Sequence, residues 1–398
     1  MNLKTFKLHF AVILSVFVML SSCNQSKVTH IILDNTDFGN LSASKSIEVV
    51  DSCPLSLDSC SAPKPIYIEL LEKGDSIYMS FLNNYTNNIY TYNLVDGGLK
   101  SVINLAPNNA RILKRPIAFT FLDDNSVGVL DATLMQFIRI GFPSGKVISR
   151  FDLKDIHNSK WPDYYPQYNI STANHMWNKS DKIYIPGQYF RSMPQENIDK
   201  CKLMSVIDLE DGTVSFRYNY PTKVYGNNAN WEGGAQTEMY ATLGHDENII
   251  LSYPPSHEIF IPETDSIRTF NAASTFVKNI SSINYEDCNS TPEKLILENY
   301  LHQYMYGPLI YDRYNDIYYR FLNWPIDKIK NSNDASDRNI SIVLFDSQFN
   351  YLGETIIGTG REWNIRNSFV TKNGLYIEWI DLNDETESFL KFKIFNLK

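Results

Sequence analysis

Apolar and polar residues alternate over short runs along most of this chain, and such alternation is typical of β-strands with one buried face. Residues 75–80, 88–94 and 98–105 show the pattern first, and turn-forming residues stand between these runs. Similar runs return around residues 126, 181, 248, 316 and 374. The pattern therefore predicts a chain built from repeated groups of short strands.

One apolar residue marks the same point in each repeat. Successive residues of this set are 50, 56, 66, 68 and 58 positions apart. Units of about 50 residues with four short strands are typical of propeller blades, which pack on one another until the ring closes. We predict an all-β, six-bladed β-propeller; the alternatives are a pair of β-sandwiches or a large antiparallel barrel. The six residues are Ile77, Val127, Ile183, Ile249, Ile317 and Leu375.

One segment departs from the strand pattern. Thr291 is a typical N-cap, Pro292 suits the first helical position, and a glutamate follows. We predict a short helix here, inserted before the fifth blade. Its apolar face against the body is expected to consist of Leu295, Ile296, Leu297 and Leu301.

The first residues have the pattern of a secretory signal. Lys4 and Lys7 precede an apolar run at residues 10–20, and small residues follow up to Cys23. The run is short for a membrane span, which needs about 20 residues. Leu-Ser-Ser-Cys at its end resembles the lipobox of bacterial lipoproteins, in which the cysteine is acylated and becomes the first mature residue. The alternative is an ordinary secretory signal.

These observations predict three parts of the chain. Residues 1–22 form a lipoprotein signal peptide, residues 23–65 an acylated tether, and residues 66–398 the six-bladed propeller. Within the tether, residues 30–33 and 47–50 are candidates for strands that close the ring. Asn24 follows the acylated cysteine, and a residue other than Asp there permits transfer to the outer membrane. We expect a lipid-anchored protein of the cell envelope, at the outer membrane and facing the periplasm.

The charge of the chain argues against several partners. The formal net charge is −9, and it becomes −11 once residues 1–22, with two lysines and no acids, are removed. No basic run is present, so we expect no nucleic-acid partner, because such binding begins with neutralising phosphates. Anionic headgroups would repel this surface, so the lipid alone should hold the protein to the membrane.

Residues that commonly bind metals or cofactors are scattered. The six histidines of the mature chain have no metal-binding spacing, and no Walker loop, His-Glu-x-x-His or Gly-x-Ser-x-Gly motif is present. We predict no metal and no cofactor. Cys53 and Cys60 would close a short loop if bridged, and the sequence leaves that bridge open.

Residues 306–321, Tyr-Gly-Pro-Leu-Ile-Tyr-Asp-Arg-Tyr-Asn-Asp-Ile-Tyr-Tyr-Arg-Phe, resemble a stretch of certain lipoproteins from Bacteroides-type bacteria. Those proteins are grouped as domain of unknown function 4221 and are similar to six-bladed propeller lipoproteins. The resemblance implies the fold and the compartment. It implies no activity and no catalytic residue.

Loops that enter the innermost strands of a propeller meet on one side of the ring, here called the entry face. In this chain the segments before the predicted blades are rich in Arg, Trp and Tyr, which bind sugars, peptides, carboxylates or phosphates. The alternative is that these residues only fill the channel and cap blade ends. The candidate ligand-binding residues are Arg111, Arg115, Tyr225, Trp231, Glu232, Tyr306, Arg361, Trp363 and Arg366.

We therefore expect a non-enzymatic binding propeller whose ligand is a small anion, a glycan, a peptide or a partner protein. The alternative is a glycosidase or lyase that acts on an anionic glycan. Glycoside hydrolysis generally needs two carboxyl groups about one bond, and the entry segments offer only Glu232 and Glu362. A structural subunit without a ligand is the third hypothesis.

Overall fold

Six antiparallel sheets of four strands each form the body of the protein. The structure, a computed structural model, describes residues 29–57, 65–83, 85–106, 112–154, 166–189, 198, 200–264, 266–285, 290–327, 332–384 and 388–398. Its sheets are arranged as the blades of a six-bladed β-propeller, which confirms the predicted fold.

The strands follow one another within a blade from the channel outwards. Two strands come before the first blade: β1 (Ile32–Asp34) and β2 (Ile47–Ser56). Blade I contains β3 (Ile68–Lys73), β4 (Ser76–Asn83), β5 (Asn88–Asn93) and β6 (Leu99–Asn104). Blade II contains β7 (Pro116–Asp123), β8 (Ser126–Asp131), β9 (Gln136–Gly141) and β10 (Lys146–Asp152). Blade III contains β11 (Trp177–Lys179), β12 (Lys182–Pro186), β13 (Met204–Asp208) and β14 (Val214–Arg217).

The second half of the ring repeats this arrangement. Blade IV contains β15 (Tyr240–Leu243), β16 (Ile249–Ser252), β17 (Glu258–Pro262) and β18 (Ile267–Asn271). A short strand, β19 (Asn279–Ser281), follows it. Blade V contains β20 (Met305–Asp312), β21 (Ile317–Asn323), β22 (Asn339–Asp346) and β23 (Tyr351–Thr359). Blade VI contains β24 (Trp363–Thr371), β25 (Gly374–Trp379), β26 (Phe389–Leu397) and, as its outermost strand, β2.

The six marker residues of the sequence repeat all lie in the second strand of a blade. Ile77 is in β4 and Leu375 in β25, and the other four occupy the matching strands between them. Each stands at the first or second position of its strand. The repeat found in the sequence therefore corresponds to the blade, one marker to each.

Blade VI joins the two ends of the chain. Strand β2 pairs with β26 antiparallel, from Ile47 opposite Leu397 to Ser56 opposite Phe389. Beyond the strands, Ser46 and Lys398 exchange two backbone hydrogen bonds, of 3.3 and 2.8 Å. The ring is thus closed by hydrogen bonds between the first and the last parts of the described chain.

Residues 30–33, the other candidate for closing the ring, have a different position. Strand β1 pairs with β19 in a separate two-stranded sheet beside the connection between blades IV and V. Asn35 fixes the end of this strand, because its Nδ2 donates to the carbonyls of Ser274 and Val277 at 3.0 and 2.9 Å. The N-terminal segment therefore packs on the outside of the ring before it enters blade VI.

The hydrophobic core lies in layers between neighbouring blades. Tyr319 and Phe321 share one face of β21, as their alternation predicts, and pack with Ile377 and Phe395 between blades V and VI. Complete burial of such a side chain contributes about 1.5–3 kcal/mol. Strand β8 requires glycine at one point, because a Cβ on Gly128 would lie 2.0 Å from Cζ of Phe137.

Two helices occur in the described residues, α1 (Thr222–Tyr225) and α2 (Glu293–His302). Helix α2 lies before blade V, as predicted, but it begins later than expected: Pro292 is the N-cap, and no side chain caps it. Leu301 is buried, whereas Leu297, one turn earlier on the same side of the helix, is exposed. No helix in the described parts of the chain is long and apolar enough to cross a membrane.

Candidate functional site

The innermost strands of all six blades line one central cavity of about 940 Å³. This volume lies near the upper end of the usual range for small-molecule sites, roughly 300–1,000 Å³. Each blade contributes at least one side chain from its first strand. The set includes Glu69, Thr120, Trp177, Thr242, Leu309 and Ser368.

The segment before β11 closes the channel on the entry face. We call residues 171–176 the plug. Thr172 accepts a hydrogen bond from the backbone N–H of Ile68 and donates to Asn367, while the N–H of Ala173 donates to the carbonyl of Arg366. These partners belong to blades I and VI, on the far side of the ring from blade III. The plug therefore crosses the channel.

A second set of contacts fixes the plug to blade IV. Asn174 donates through Nδ2 to the carbonyl of Met239 at 2.9 Å and accepts from the N–H of Ala241 at 3.0 Å. Both partners are buried. The Asn174 side chain thus provides hydrogen-bond partners for two backbone groups that would otherwise be left unpaired.

The cavity reaches the surface on the opposite side, which we call the turn face because it carries the turns between first and second strands. Residues of these turns, among them His245, Glu247 and Arg313, belong to the cavity lining. Nη2 of Arg313 lies 2.8 Å from Oε2 of Glu72, and the hydroxyl of Tyr314 donates to the same carboxylate. Blade VI lies between these partners, so the contact spans part of the mouth.

Glu69 is the acid inside the channel. Its Oε1 accepts from Thr120 Oγ1 at 3.0 Å and from the N–H of Phe121 at 3.2 Å, while Oε2 is shielded and has no partner in the described structure. Burial disfavours the charged form and raises the pKa of Glu69 to about 8, although the two hydrogen bonds oppose this rise. The carboxyl therefore carries a proton at neutral pH.

Two other polar groups of the channel wall are also shielded and unpaired in the described structure, like Oε2 of Glu69. Within the described residues, neither Nε1 of Trp177 nor Oγ of Ser368 has a hydrogen-bond partner, and both atoms are shielded from solvent. The Trp177 ring stacks on Tyr184 with centroids 5.7 Å apart. His175 meets the Trp177 ring edge-on, and desolvation lowers the pKa of His175. The inner wall is thus largely aromatic and carries hydrogen-bonding groups, while the charged side chains of the lining lie toward the turn face.

A second polar cluster stands at the mouth. Nδ1 of His245 and the hydroxyl of Tyr311 both lie 2.7 Å from Oδ1 of Asp316. The hydrogen bond from Tyr311 holds the pKa of Asp316 below its ordinary value, while burial raises the pKa of Tyr311. This cluster joins the turns of blades IV and V and keeps a carboxylate at the rim.

The predicted aromatic residues of the entry face are mostly packed. Tyr225, Trp231 and Tyr306 are buried in one cluster, and Trp363 is buried between blades V and VI. Their polar atoms have protein partners: the Tyr225 hydroxyl donates to the carbonyl of Gln236, and the Trp231 and Trp363 indoles donate to the carbonyls of Val224 and Ile357. With these contacts the rings are packed as parts of the hydrophobic core.

The predicted charged residues are distributed around the ring. Arg361 pairs with Asp334 and Asp337, and Arg366 lies 2.7 and 3.0 Å from the two oxygens of Glu238. Arg115 is exposed just before β7, and Arg111 lies outside the described residues. None of the eight described candidates lines the central channel, although Trp231 and Glu232 line a separate small cavity. A ligand-binding role for the set stays a prediction.

The two acids considered for glycoside hydrolysis do not share a cavity. Glu362 accepts from the N–H of Thr359 at 2.9 Å and so belongs to the turn before β24, whereas Glu232 lines the small cavity beside α2. Across the described ranges, no three His, Cys, Asp or Glu side chains form a group that could hold a metal ion. Cys23 and Cys60 lie outside the described residues, so lipidation and the Cys53–Cys60 bridge stay predictions.

The channel residues had a weak sequence signal. Glu69 is the single acid in the apolar run of residues 66–71, Ile-Tyr-Ile-Glu-Leu-Leu, which is unusual for a packed strand. Such an acid is expected either at an exposed edge or beside a polar cavity. The plug, Ser-Thr-Ala-Asn-His-Met, has no periodicity that would identify it.

Comparisons with known proteins agree with this architecture. A crystal structure of a member of the DUF4221 family from Bacteroides vulgatus ATCC 8482 is similar, with 17% identity, a TM-score of 0.74, and coverage of 89% of this chain and 99% of that one. A structure from Bacteroides fragilis NCTC 9343, of a protein named as exported, has 10% identity, a TM-score of 0.51, and coverage of 88% and 95%. At these identities the likeness concerns the fold. A comparison with the curated proteins finds no match.

The family models give the identification. The model described as Domain of unknown function (DUF4221) matches residues 44–356, which is most of the chain and includes the plug, blades I to IV and blade V up to its last strand. The match begins in the segment that leads into β2, the strand that closes the ring. The chain therefore belongs to the DUF4221 family.

Proposed function

We propose that this protein is a lipid-anchored binding protein of the cell envelope, without enzymatic activity, that takes a small polyhydroxylated ligand, such as a mono- or disaccharide, in its central channel. The ligand enters from the turn face. One observation carries the proposal: three shielded polar groups from three blades, Glu69, Trp177 and Ser368, have no partner in the described structure and border one cavity of about 940 Å³.

The chemistry of the wall supports an uncharged, hydroxyl-rich ligand. Buried polar groups cost free energy when they stay unpaired, roughly 1–3 kcal/mol each, so a ligand that supplies partners gains from each of them. Protonated Glu69 and the indole N–H of Trp177 are donors, and the Ser368 hydroxyl both donates and accepts. All three residues belong to the cavity lining. The aromatic residues Tyr67 and Trp177 border the same cavity, and aromatic rings favour contact with the apolar face of a sugar.

The location follows from the N-terminal sequence. The signal pattern of residues 1–22 and the lipobox-like residues up to Cys23 support export and acylation. The similar protein from Bacteroides fragilis is named as exported, in agreement with this location. Residues 24–31 join Cys23 to strand β1, the first segment that packs on the ring, and would serve as the tether.

Saccharide titrations of the purified protein test the proposal. A panel of neutral mono- and disaccharides is titrated by calorimetry, a readout that does not depend on Trp177 itself. We expect one or more sugars to bind, and Trp177→Phe, which removes the N–H and keeps a ring, to weaken binding about 3- to 10-fold, the value of one hydrogen bond. Arg361→Ala on the entry face is the matched control and should bind normally.

Two results would overturn the proposal. One is the absence of any binding across the panel at millimolar concentrations. The other is binding that Arg361→Ala abolishes and Trp177→Phe leaves unchanged, which would place the ligand on the entry face.

A further inference from the structure

A second cavity, of about 250 Å³, lies on the entry face between helix α2 and the residues that follow Trp231. We call it the α2 pocket. Its apolar wall includes Trp231, Ile283, Ile296 and Tyr300. The polar side chains in its lining are Glu232, Gln236 and Asn299. The pocket is smaller than a typical drug-sized site and suits one ring or a short chain.

The amide of Gln236 is fixed in one orientation. Nδ2 of Asn299 donates to the carbonyl of Ser281 at 3.2 Å, and a carbonyl can only accept, so Oδ1 of Asn299 must face Gln236. Nε2 of Gln236 therefore donates to that Oδ1, also at 3.2 Å. The remaining atom, Oε1 of Gln236, is shielded and has no donor in the described structure. The pocket thus contains an acceptor that the protein does not satisfy.

Glu232 adds a second acceptor. Its carboxylate is half-buried and takes part in no hydrogen bond or ion pair with the described residues, and burial raises the pKa of Glu232. The backbone at Glu232 and the two glycines after it has positive φ angles: +64° at Glu232, +107° at Gly233 and +60° at Gly234. A left-handed glutamate is strained, and such strain is often found at ligand sites. The backbone N–H of Glu232 donates to Oδ1 of Asn230, which holds this conformation.

A buried cation beside the Tyr300 ring, Arg338, has its hydrogen-bond partners elsewhere. Cζ of Arg338 lies 5.6 Å from the centre of the Tyr300 ring. Its guanidinium donates instead to the carbonyls of Tyr300, Gln303, Asn323 and Trp324. The α2 pocket therefore combines two acceptors for which the described residues supply no donor with an apolar, partly aromatic wall.

We propose that the α2 pocket binds a small primary amine, whose ammonium group donates to the Glu232 carboxylate and to Oε1 of Gln236. An ammonium has three donors and no acceptor, so it can satisfy both of these acceptors at once. The apolar part of the amine lies against Trp231 and Tyr300, where a cation next to aromatic faces gains further attraction. The site is separate from the central channel and does not depend on the function proposed for it.

Titration with phenethylamine tests the proposal, with 2-phenylethanol and 3-phenylpropionate as probes of the same ring without the positive charge. Calorimetry on the full mature protein should detect phenethylamine, and the alcohol and the acid should bind at least tenfold more weakly. Glu232→Gln keeps the size and the hydrogen-bonding shape but removes the charge, and it should weaken phenethylamine at least tenfold. Glu362→Gln, another glutamate of the entry face, is the matched control and should not change binding.

Thermal melting separates loss of the site from loss of the fold. Glu232→Gln should melt within a few degrees of the unmodified protein, because the carboxylate has no partner to lose among the described residues. Equal binding of phenethylamine and 2-phenylethanol would overturn the proposal, as would unchanged amine binding in Glu232→Gln. Absence of phenethylamine binding at millimolar concentration would overturn it as well.

Discussion

Arg320 lies directly over the ring of Tyr306, with Cζ 3.8 Å from the ring centre. Both side chains are buried, and the guanidinium also donates to the carbonyls of His257, Ala272 and Ser256 and to the Ser252 hydroxyl. The Tyr306 hydroxyl lies 3.0 Å from Nδ1 of His257. A residue that the sequence placed among the ligand-binding candidates is therefore the platform of a buried cation that joins blades IV and V.

Replacement of this cation should destabilise the ring. Arg320→Met fills a similar volume but leaves the three carbonyls and the Ser252 hydroxyl without their donor. We expect the free energy of unfolding in urea to fall by about 3–5 kcal/mol. Arg313→Met, on the exposed turn of blade V, is the control and should change it by less than about 1 kcal/mol. A similar small loss for both variants would contradict this role.

Glu69 should make the stability of the protein fall as pH rises. Its pKa is about 8 in the folded state against an ordinary value of 4.5, so between these pH values the folded state keeps a proton that the unfolded state releases. The free energy of unfolding therefore falls as pH rises from 4.5 to about 8, by up to about 1.4 kcal/mol for each pH unit. Glu69→Gln removes the titrating group.

Urea unfolding of both proteins at pH 5 and pH 8 measures this effect. The variant should be similar to the unmodified protein at pH 5 and more stable at pH 8. Glu72→Gln, at the mouth, is the comparison and should keep the original pH dependence. Parallel stability curves for the unmodified protein and Glu69→Gln would show that Glu69 titrates normally.

Asn174 should control whether the plug stays in place. Asn174→Ala removes both side-chain hydrogen bonds to blade IV and leaves the N–H of Ala241 and the carbonyl of Met239 unpaired, at about 1–3 kcal/mol. We expect faster amide hydrogen exchange in peptides that contain residues 171–176, with the blades themselves still protected. Asn178→Ala, exposed to the channel in β11, is the control. Exchange that is equally slow in both variants would contradict the plug assignment.

Cys23 should determine where the protein is found. If it is acylated, Cys23→Ser moves the protein from the membrane to the soluble fraction, while its circular dichroism stays that of a β-protein. Cys53→Ser, inside β2, is the matched control and should stay with the membrane. Cys23→Ser that resists extraction with carbonate would contradict the lipid anchor.

The fold was predictable because its signal is local and repeated. Ile77 and Leu375 are almost 300 residues apart, yet each begins a strand whose alternation is visible within a few residues. Helix α2 has the same kind of local signal. Its N-cap, however, is Pro292 rather than Thr291, and Leu297 is exposed rather than packed against the body. The one-turn helix α1 has no such pattern and was not predicted.

The site was harder to predict because it depends on positions brought together by ring closure. Whether Glu69 faces the channel depends on the register of β3 against its neighbours, which alternation alone does not give. Tyr225 and Trp231 precede the first strand of blade IV, where loops usually expose their side chains. In this protein that connection folds on itself and forms part of the core, so the Tyr225 ring is packed among other side chains and the Trp231 ring reaches only the wall of the α2 pocket.

The pairing of β2 with β26 also determines the order in which the chain can be completed. During synthesis β2 emerges before any blade strand, but its partner emerges last, more than 300 residues later. Until then β2 lacks the strand that pairs with its backbone N–H and C=O groups, and an unpaired strand favours association with other chains. Blade VI is therefore the last blade to form. Loss of the whole strand β26 (Phe389–Leu397) would remove the pairing partner of β2 and leave blade VI without its closure.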